Sequence, residues 1–571
     1  MHVVVVDRRD RPLEVGQADG VACRTVEMFQ AFGLADPLIA EGYQVNEVTF
    51  WRPDQADPSA IVRTGRVEDV EEGISEMPHM IVNQARMMDY LREHVRRSPS
   101  RAEPFHGLSA VDVRVDGGRE HPVTVTLQHV VEGEPTGETS AIRARYAVGC
   151  DGARSAVRRA LGLRLHGDLA HQRWGVMDVL VDTTFPDIRL KSAITSSHGS
   201  LLVIPREGGH LVRLYVELES DSADVTPDRL EAAVNDILHP YTLEVRHVGW
   251  WSVYQVAQRL CDRFADSTDE PRVFIAGDAC HTHSAKAGQG MNVSMADAFN
   301  LGWKLGTVLR GSAPSAILRT YSSERQEVAR QLIEFDREFA ALFASRDAEP
   351  ETFQRYFREQ GRFTAGVAVR YPPSALTAGA GHQHLAEGFP QGRRFHSAPV
   401  VRLADAKPMQ LGHAAQADGA WRLYVFADRT HPAEPHGSLA VVSERIELLV
   451  ARYTPPGAEP DSVLDVRAVL QQSCREVSPP ELPPVLRPRK GPFLLVDHEK
   501  VFCADPLDDV FDTRVIDRDG CVVVVRPDQY VAAVLPLDAH ESLRGFLDGA
   551  LVVREEPLGG SEIITRARPH T

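Results

Sequence analysis

The chain has 571 residues, 43% hydrophobic and 25% charged, with a net charge of −17. That is length for two to four domains with large cores, and an acidity that excludes nucleic acid and anionic membranes as main partners. Seven cysteines without CxxC spacing exclude a disulfide framework and structural zinc. The absence of any apolar run near ~20 residues excludes a membrane helix. The first acid comes too early for a secretory leader, so a cytoplasmic enzyme is expected.

In chain order, His2 to Val6 reads as a fully buried parallel strand, because its β-branched run does not alternate. It ends on Asp7, followed by Arg8. Thr25 to Leu34 is predicted helical, with Val26, Phe29 and Phe32 on one face. Asn83 to Val95 is a second amphipathic helix. Val123 to Leu127 and Ala141 to Gly149 read as strands, and the latter delivers CDGARS (150 to 155). From Trp174 the period becomes two: Met177, Val179 and Val181 alternate with Asp178 and Asp182, and LLVIP and HLVRLYVEL follow. This predicts half-buried antiparallel strands in a sheet inserted in, or packed on, a nucleotide-binding fold.

RVFIAGDA returns to the buried type and delivers Asp278. A glycine-bearing loop then opens a long helix from about Gly290 to Leu309, with more helix through Ser345. Residues 371–399, rich in Gly, Pro and Ala, predict a linker. Beyond it come the strand WRLYVFA, the helix SLAVVSERIELLVARY, the strand SVLDVRAV, a hairpin-like pair CVVVVRPDQYVAAVLPL and a helix near Ser542 to Leu551. That β-α-β then β-β-α order predicts a thioredoxin-like domain, without CxxC and so without dithiol chemistry. The expected class is α/β: a Rossmann-like fold of residues 1–170 and 260–385, an antiparallel-sheet substrate region of 171–259, and a thioredoxin-like domain of 386–571.

In a dinucleotide-binding fold the second strand ends in an acid, which can accept both ribose hydroxyls, and GxGxxG precedes it by about 20 residues. VVVVD supplies the acid, yet only six residues precede Asp7 and the chain holds no GxGxxG. The first βα unit is therefore expected to be missing, with the true start upstream. In GDACHTHSAKAGQGMN (277 to 292) small residues allow close backbone approach, and a helix N-terminus favours negative charge. CDGARS repeats the strand–loop–helix theme, though it also reads as a capped helix start. CHTH matches no metal-ligand spacing.

GQADGVACRTVEMF (16 to 29), NQARMMDYL (83 to 91), CDGARSAVRRALG (150 to 162) and GDACHTHSAKAGQGMNVSMADAFNLGWKL (277 to 305) together resemble the phenol hydroxylase branch of the FAD-dependent aromatic monooxygenases. The resemblance spans nearly the whole chain. It implies FAD, with NADPH or NADH and O2 as co-substrates, a small aromatic substrate and a homodimer. It places Asp7 and Arg8 at the adenosine ribose, Gln17, Arg24 and Gln84 along the cofactor, and Asp278 at the ribityl chain. Gly288, Gln289, Gly290, Met291 and Asn292 would face the flavin pyrimidine, and Asp151 would serve FAD and the nicotinamide cofactor. Ala285 stands where the family usually shows proline; proline would stiffen that loop, so alanine is expected to loosen it.

A protonated phenol is a poor nucleophile, with a pKa of about 10, so a base must help remove its proton. The resemblance puts Asp19 beside the substrate hydroxyl, with Tyr215 and Arg206 at the same site. Read alone, these are a turn residue, a strand aromatic and a surface charge. Lys191 and His79 match substrate-contacting positions and together favour a hydroxybenzoate, because a pocket lysine needs an anion to meet. The resemblance therefore implies conversion of 3-hydroxybenzoate to 3,4-dihydroxybenzoate. A phenol or resorcinol hydroxylase is one alternative, and a cofactor-free binding or scaffold protein is another.

Overall fold

A computed structural model describes residues 2–218, 225–283, 289–344 and 359–554. In the part expected to bind the nucleotide, two short pairs of parallel strands are found among the described residues. Val6–Asp7 pairs with Phe105–His106, and Ala147–Gly149 pairs with Val273–Ile275. Against expectation, the valine run is not buried: Val3, Val4 and Val5 are 39–45% exposed, and Val148 is 41% exposed. The reason is that each pair is a sheet of two strands, so neither Val6–Asp7 nor Ala147–Gly149 has a second ladder neighbour. The predicted strand from Ala141 to Gly149 splits: Glu134–Ala144 closes an antiparallel three-stranded sheet with Val123–Val131, and 147–149 joins the parallel pair. Helices Cys23–Ala31, Gln84–Arg97, Gly290–Leu309 and Arg319–Ala344 complete this part.

The substrate sheet has eight strands, in the order His281–Thr282, Leu243–Cys261, Leu165–Thr183, Leu211–Leu218, Gly199–Pro205, Lys191–Ser196, Glu47–Pro53 and Ile61–Glu68. It therefore draws three strands, Glu47–Pro53, Ile61–Glu68 and His281–Thr282, from the region assigned above to the nucleotide fold. Helix Pro227–Leu238 buries Leu230, Val234, Ile237 and Leu238 against it. The predicted alternation fails at Asp178, which is buried rather than solvent-facing. A buried arginine opposite satisfies it.

The C-terminal sheet has seven strands, ordered Lys407–Gln410, Pro399–Arg402, Val501–Ala504, Leu464–Leu470, Trp421–Phe426, Cys521–Val525 and Val531–Leu535. Its last four strands have the predicted β-α-β then β-β-α connections. One face packs Leu423, Val425, Val522 and Val524 on helices Ser438–Tyr453 and His540–Ala550. The other packs Tyr424, Phe426, Val523 and Val525 against Phe389, Phe395 and Phe511. Residues 371–399 are thus no free linker. They lie on the sheet, with Phe395 stacked on Tyr424 at 4.6 Å. The N–H groups of Ala378 and Gly392 donate to the carbonyls of Ala532 and Val531 at 2.8 Å. The glycines and prolines shape turns whose apolar neighbours are core.

Candidate active site

A short antiparallel ladder places the candidate residues. Gly20 pairs with Ile81 and Val21 with Met80, and the Val82 N–H donates to the Asp19 carbonyl at 2.8 Å. Asp19 is buried there beside the substrate sheet, where Asp178 and Arg213 are direct cross-strand partners. Arg213 donates from Nε to Asp178 Oδ1 at 2.6 Å and from Nη2 to Oδ2 at 2.7 Å. Arg206, at the end of the neighbouring strand, donates to Asp178 Oδ2 at 2.8 Å and to both oxygens of Glu207. Asp178 thus locks two buried guanidinium groups in place.

Asp19 Oδ2 lies 3.3 Å from Arg206 Nη1 and 3.2 Å from Arg213 Nη1, yet this buried oxygen accepts no hydrogen bond of its own. Such an atom is costly unless something donates to it, and a phenol O–H has the right chemistry. Burial, with Asp19 next, pushes the Tyr215 hydroxyl up to about 12 against the opposing pull of Arg213. It is therefore a proton donor at neutral pH. Burial alone would draw Arg213 down, but Asp19, Tyr215 and Asp178 carry it above its ordinary value. Its guanidinium also lies 5.2 Å over the Trp250 ring. The residues expected from the sequence, Asp19, Tyr215 and Arg206, lie together here, joined by Asp178 and Arg213, which the sequence did not single out. The signal available was an acid and an arginine, each inside an apolar strand.

His79 lies three residues before Val82, immediately ahead of the strand Met80–Ile81. Its Nδ1 is 2.5 Å from Asp69 Oδ2, and Lys191 Nζ is 2.6 Å from Asp69 Oδ1. The structure brings the predicted pair together, on an acid the sequence did not single out. Burial would raise the Asp69 carboxyl, but Lys191 and His79 hold it well below the usual range. Asp69 sits among the acids of RVEDVEEG, where nothing local distinguishes it.

The candidate cofactor residues fall into two groups. Gln84 Oε1 accepts from the Gln17 and Ala18 N–H groups at 3.0 and 3.3 Å. A Cβ on Gly16 would lie 2.2 Å from the Gln84 Cβ, so only glycine permits this approach. Asn292 Oδ1 accepts from the Ala22 N–H at 2.9 Å and Thr25 Oγ1 at 2.7 Å, tying the Gly290–Leu309 helix to the loop after Asp19. Gln289 donates to the Thr364 carbonyl at 2.9 Å. A Cβ on Gly290 would meet the His283 ring at 2.6 Å, and Met291 packs beside the helix that starts at Cys23. Asp278 is exposed on the turn after Val273–Ile275, a turn held from behind by buried Asp297, which accepts from the Gly277 N–H at 3.1 Å.

The remaining candidates are engaged within the protein. Arg24 is buried, donating to Glu27 at 3.0 Å, to Gln529 at 2.6 Å and to the Asp528 carbonyl at 2.8 Å, so it reaches into the C-terminal sheet's hairpin. Asp151 caps the helix Ala156–Ala160, accepting from the Ser155 hydroxyl and from the Ala156 N–H at 2.6 Å. Asp7 accepts from the Arg9 N–H at 2.9 Å, and Arg8 donates to the Gly133 carbonyl at 3.3 Å. Gly288 and Ala285 lie outside the described residues. Among the described residues no three His, Cys, Asp or Glu side chains could hold a metal.

The residues fit a flavin dinucleotide in part. Asp278 and Asp7 are acids at strand ends suited to hydroxyl groups. The Gly290 helix opens without a side-chain cap, which leaves N–H groups for an electron-rich ring edge.

The structure thus brings together a buried acid, two arginines and a tyrosine, next to the start of the Gly290–Leu309 helix. Residues 1–336 match the FAD binding domain family, and residues 369–555 match the phenol hydroxylase C-terminal dimerisation domain. The chain belongs to the phenol hydroxylase family of FAD-dependent aromatic monooxygenases.

It is 52% identical to a 3-hydroxybenzoate 4-monooxygenase of Comamonas testosteroni, over 95% of this chain and 90% of that protein. It is 37% identical to the FAD-dependent monooxygenase terD of Aspergillus terreus, over 95% and 91% of the two chains. Among solved structures, aklavinone-11 hydroxylase with FAD and aklavinone superposes with a TM-score of 0.67 at 20% identity, covering 96% of this chain and 94% of that one. That likeness concerns the fold.

Proposed function

We propose that the enzyme hydroxylates 3-hydroxybenzoate to 3,4-dihydroxybenzoate, with O2 and NADPH or NADH as co-substrates. Bound FAD supplies the redox and oxygen chemistry. The protein binds the acid, orients its ring and takes up the phenolic proton. Asp19 Oδ2 accepts the hydrogen bond from the substrate hydroxyl and helps remove its proton, with Tyr215 beside it as donor. Arg206 and Arg213 keep the carboxylate oriented, as preorganised dipoles and charges do. Lys191 and His79 receive the substrate carboxylate at the other end of the ring.

The observation that carries this reading is the meeting of Lys191 and His79 on one buried acid, with His79 three residues before Val82, whose N–H donates to the Asp19 carbonyl. The 52% identical relative named for the same reaction supports it. In the same reading the enzyme is cytoplasmic and dimerises through residues 369–555.

One observation favours a second substrate. Asp69 already offsets the Lys191 charge at 2.6 Å, which suits a neutral phenol or resorcinol. The test is substrate-stimulated NADPH oxidation by the FAD-loaded enzyme, with chromatography of the product. The expected product from 3-hydroxybenzoate is 3,4-dihydroxybenzoate. Turnover of phenol or resorcinol with none of 3-hydroxybenzoate overturns the assignment.

A further inference from the structure

The C-terminal region carries a small hairpin, Arg489–Lys490 paired with Leu495–Val496, whose turn is GPFL. Its tip is apolar and fully presented: Phe493 is 81% exposed, Leu494 62% and Leu495 67%. Scattered exposed apolar residues are ordinary, but three in succession at one turn are not.

Two independent features show that this tip is built. First, Leu494 sits at φ +50°, a left-handed conformation that glycine or asparagine adopts readily and leucine resists. A turn selected only for solubility would take one of those residues there. Second, the base is clamped. Lys490 Nζ donates to Asp461 at 2.7 Å, the Gly491 N–H donates to Glu459 at 3.0 Å, and Arg489 donates to the Leu494 carbonyl at 3.0 Å. Buried Lys500 reaches the same Asp461 at 2.6 Å and Asp465 at 2.8 Å. A rigid support under an apolar tip removes most of the ordering entropy a partner would otherwise have to overcome.

We propose that the Phe493–Leu495 tip is the apolar anchor of a two-fold symmetric dimer of this chain. The inference rests on the dimer reading given above, and it names the surface. The occupant is a second copy because the tip lies inside residues 369–555, the part that matches a dimerisation domain. In an isologous interface the same patch serves both partners. Two tips meeting would bury less than the ~1,600 Å2 of a standard interface, so they form its centre. The exposed residues Arg489, His498 and Glu499 form its polar rim.

The test is sedimentation of the full-length FAD-loaded enzyme across micromolar concentrations, wild type against Phe493→Asp/Leu495→Asp, with circular dichroism as the folding control. The expected result is a wild-type dimer and at least a hundredfold weaker association in the variant. If that variant misfolds, Phe493→Ser/Leu494→Asn removes the apolar tip more gently and is expected to give the same shift. Val441→Asp/Leu448→Asp changes another exposed apolar pair of this region, on the helix Ser438–Tyr453, and is expected to leave the dimer intact. A wild-type monomer overturns the dimer reading and the tip with it. A wild-type dimer that survives the tip variants overturns the tip alone, as does a dimer broken only by the helix variant.

Discussion

In the seven-stranded sheet Val522, Val523, Val524 and Val525 are all 2% exposed or less. At the eight-stranded sheet the buried positions beside Asp19 include Asp178, Arg206 and Arg213. Both sites exclude water, but the Cys521–Val525 strand is held by apolar contact on two faces and the cluster around Asp19 by compensated charge. Apolar contact is forgiving of small changes and does no chemistry. A compensated cluster is unforgiving, since removing one partner strands the others, and it can hold a carboxylate oxygen unsatisfied until a substrate arrives.

The sharpest way to break this contrast is Asp19→Asn. Its kcat is expected to fall about 10²–10⁴-fold with the fold intact, read by steady-state kinetics beside thermal unfolding. Asp178→Ala leaves two buried arginines without their common acid and should lower stability by about 3–5 kcal/mol, together with activity, in a denaturant titration. Leu423→Ala, in the apolar sheet, is expected to cost about 2–5 kcal/mol while each folded molecule keeps its kcat. If Leu423→Ala lowered kcat as much as Asp178→Ala did, the division between the two regions would fail.

A pH effect separates them again. Burial, with Arg394 and Arg514, pushes His396 down to about 3 from its ordinary 6.5. The unfolded chain therefore binds the proton between those values and the folded chain does not. His396 leaves stability unaffected above pH 6.5 and destabilises the fold progressively as pH falls from 6.5 toward 3. His396→Gln is expected to flatten the decline in melting temperature between pH 7 and pH 4.5. An unchanged slope would remove His396 from the account.

The contrast also explains what could be read from the sequence. The C-terminal helix at Ser438–Tyr453 and the strand pairs around it were legible because strands buried on both faces appear as unbroken apolar runs. The valine run before Asp7 has the same pattern but is exposed, because burial depends on neighbouring strands that no local pattern records. Asp178 was misread because period two assigns every strand acid to solvent, and only the pairing register reveals Arg213 opposite it. Residues 371–399 were misread because Gly and Pro mark turns without saying whether the aromatics between them find a sheet. Asp19, Tyr215, Lys191 and His79 were reached through family resemblance. Asp69, which joins two of them, carried no signal short of the folded contacts.

The central claim is that the charged sheet reads both ends of a phenolic acid. The most direct measurement is the ratio of kcat/KM for 3-hydroxybenzoate to that for phenol, in FAD-loaded wild type and in Lys191→Met. The account predicts that the substitution raises KM for the acid at least tenfold, about 1.4 kcal/mol, with phenol turnover unchanged, so that the ratio collapses. A ratio that stays at its wild-type value would contradict it.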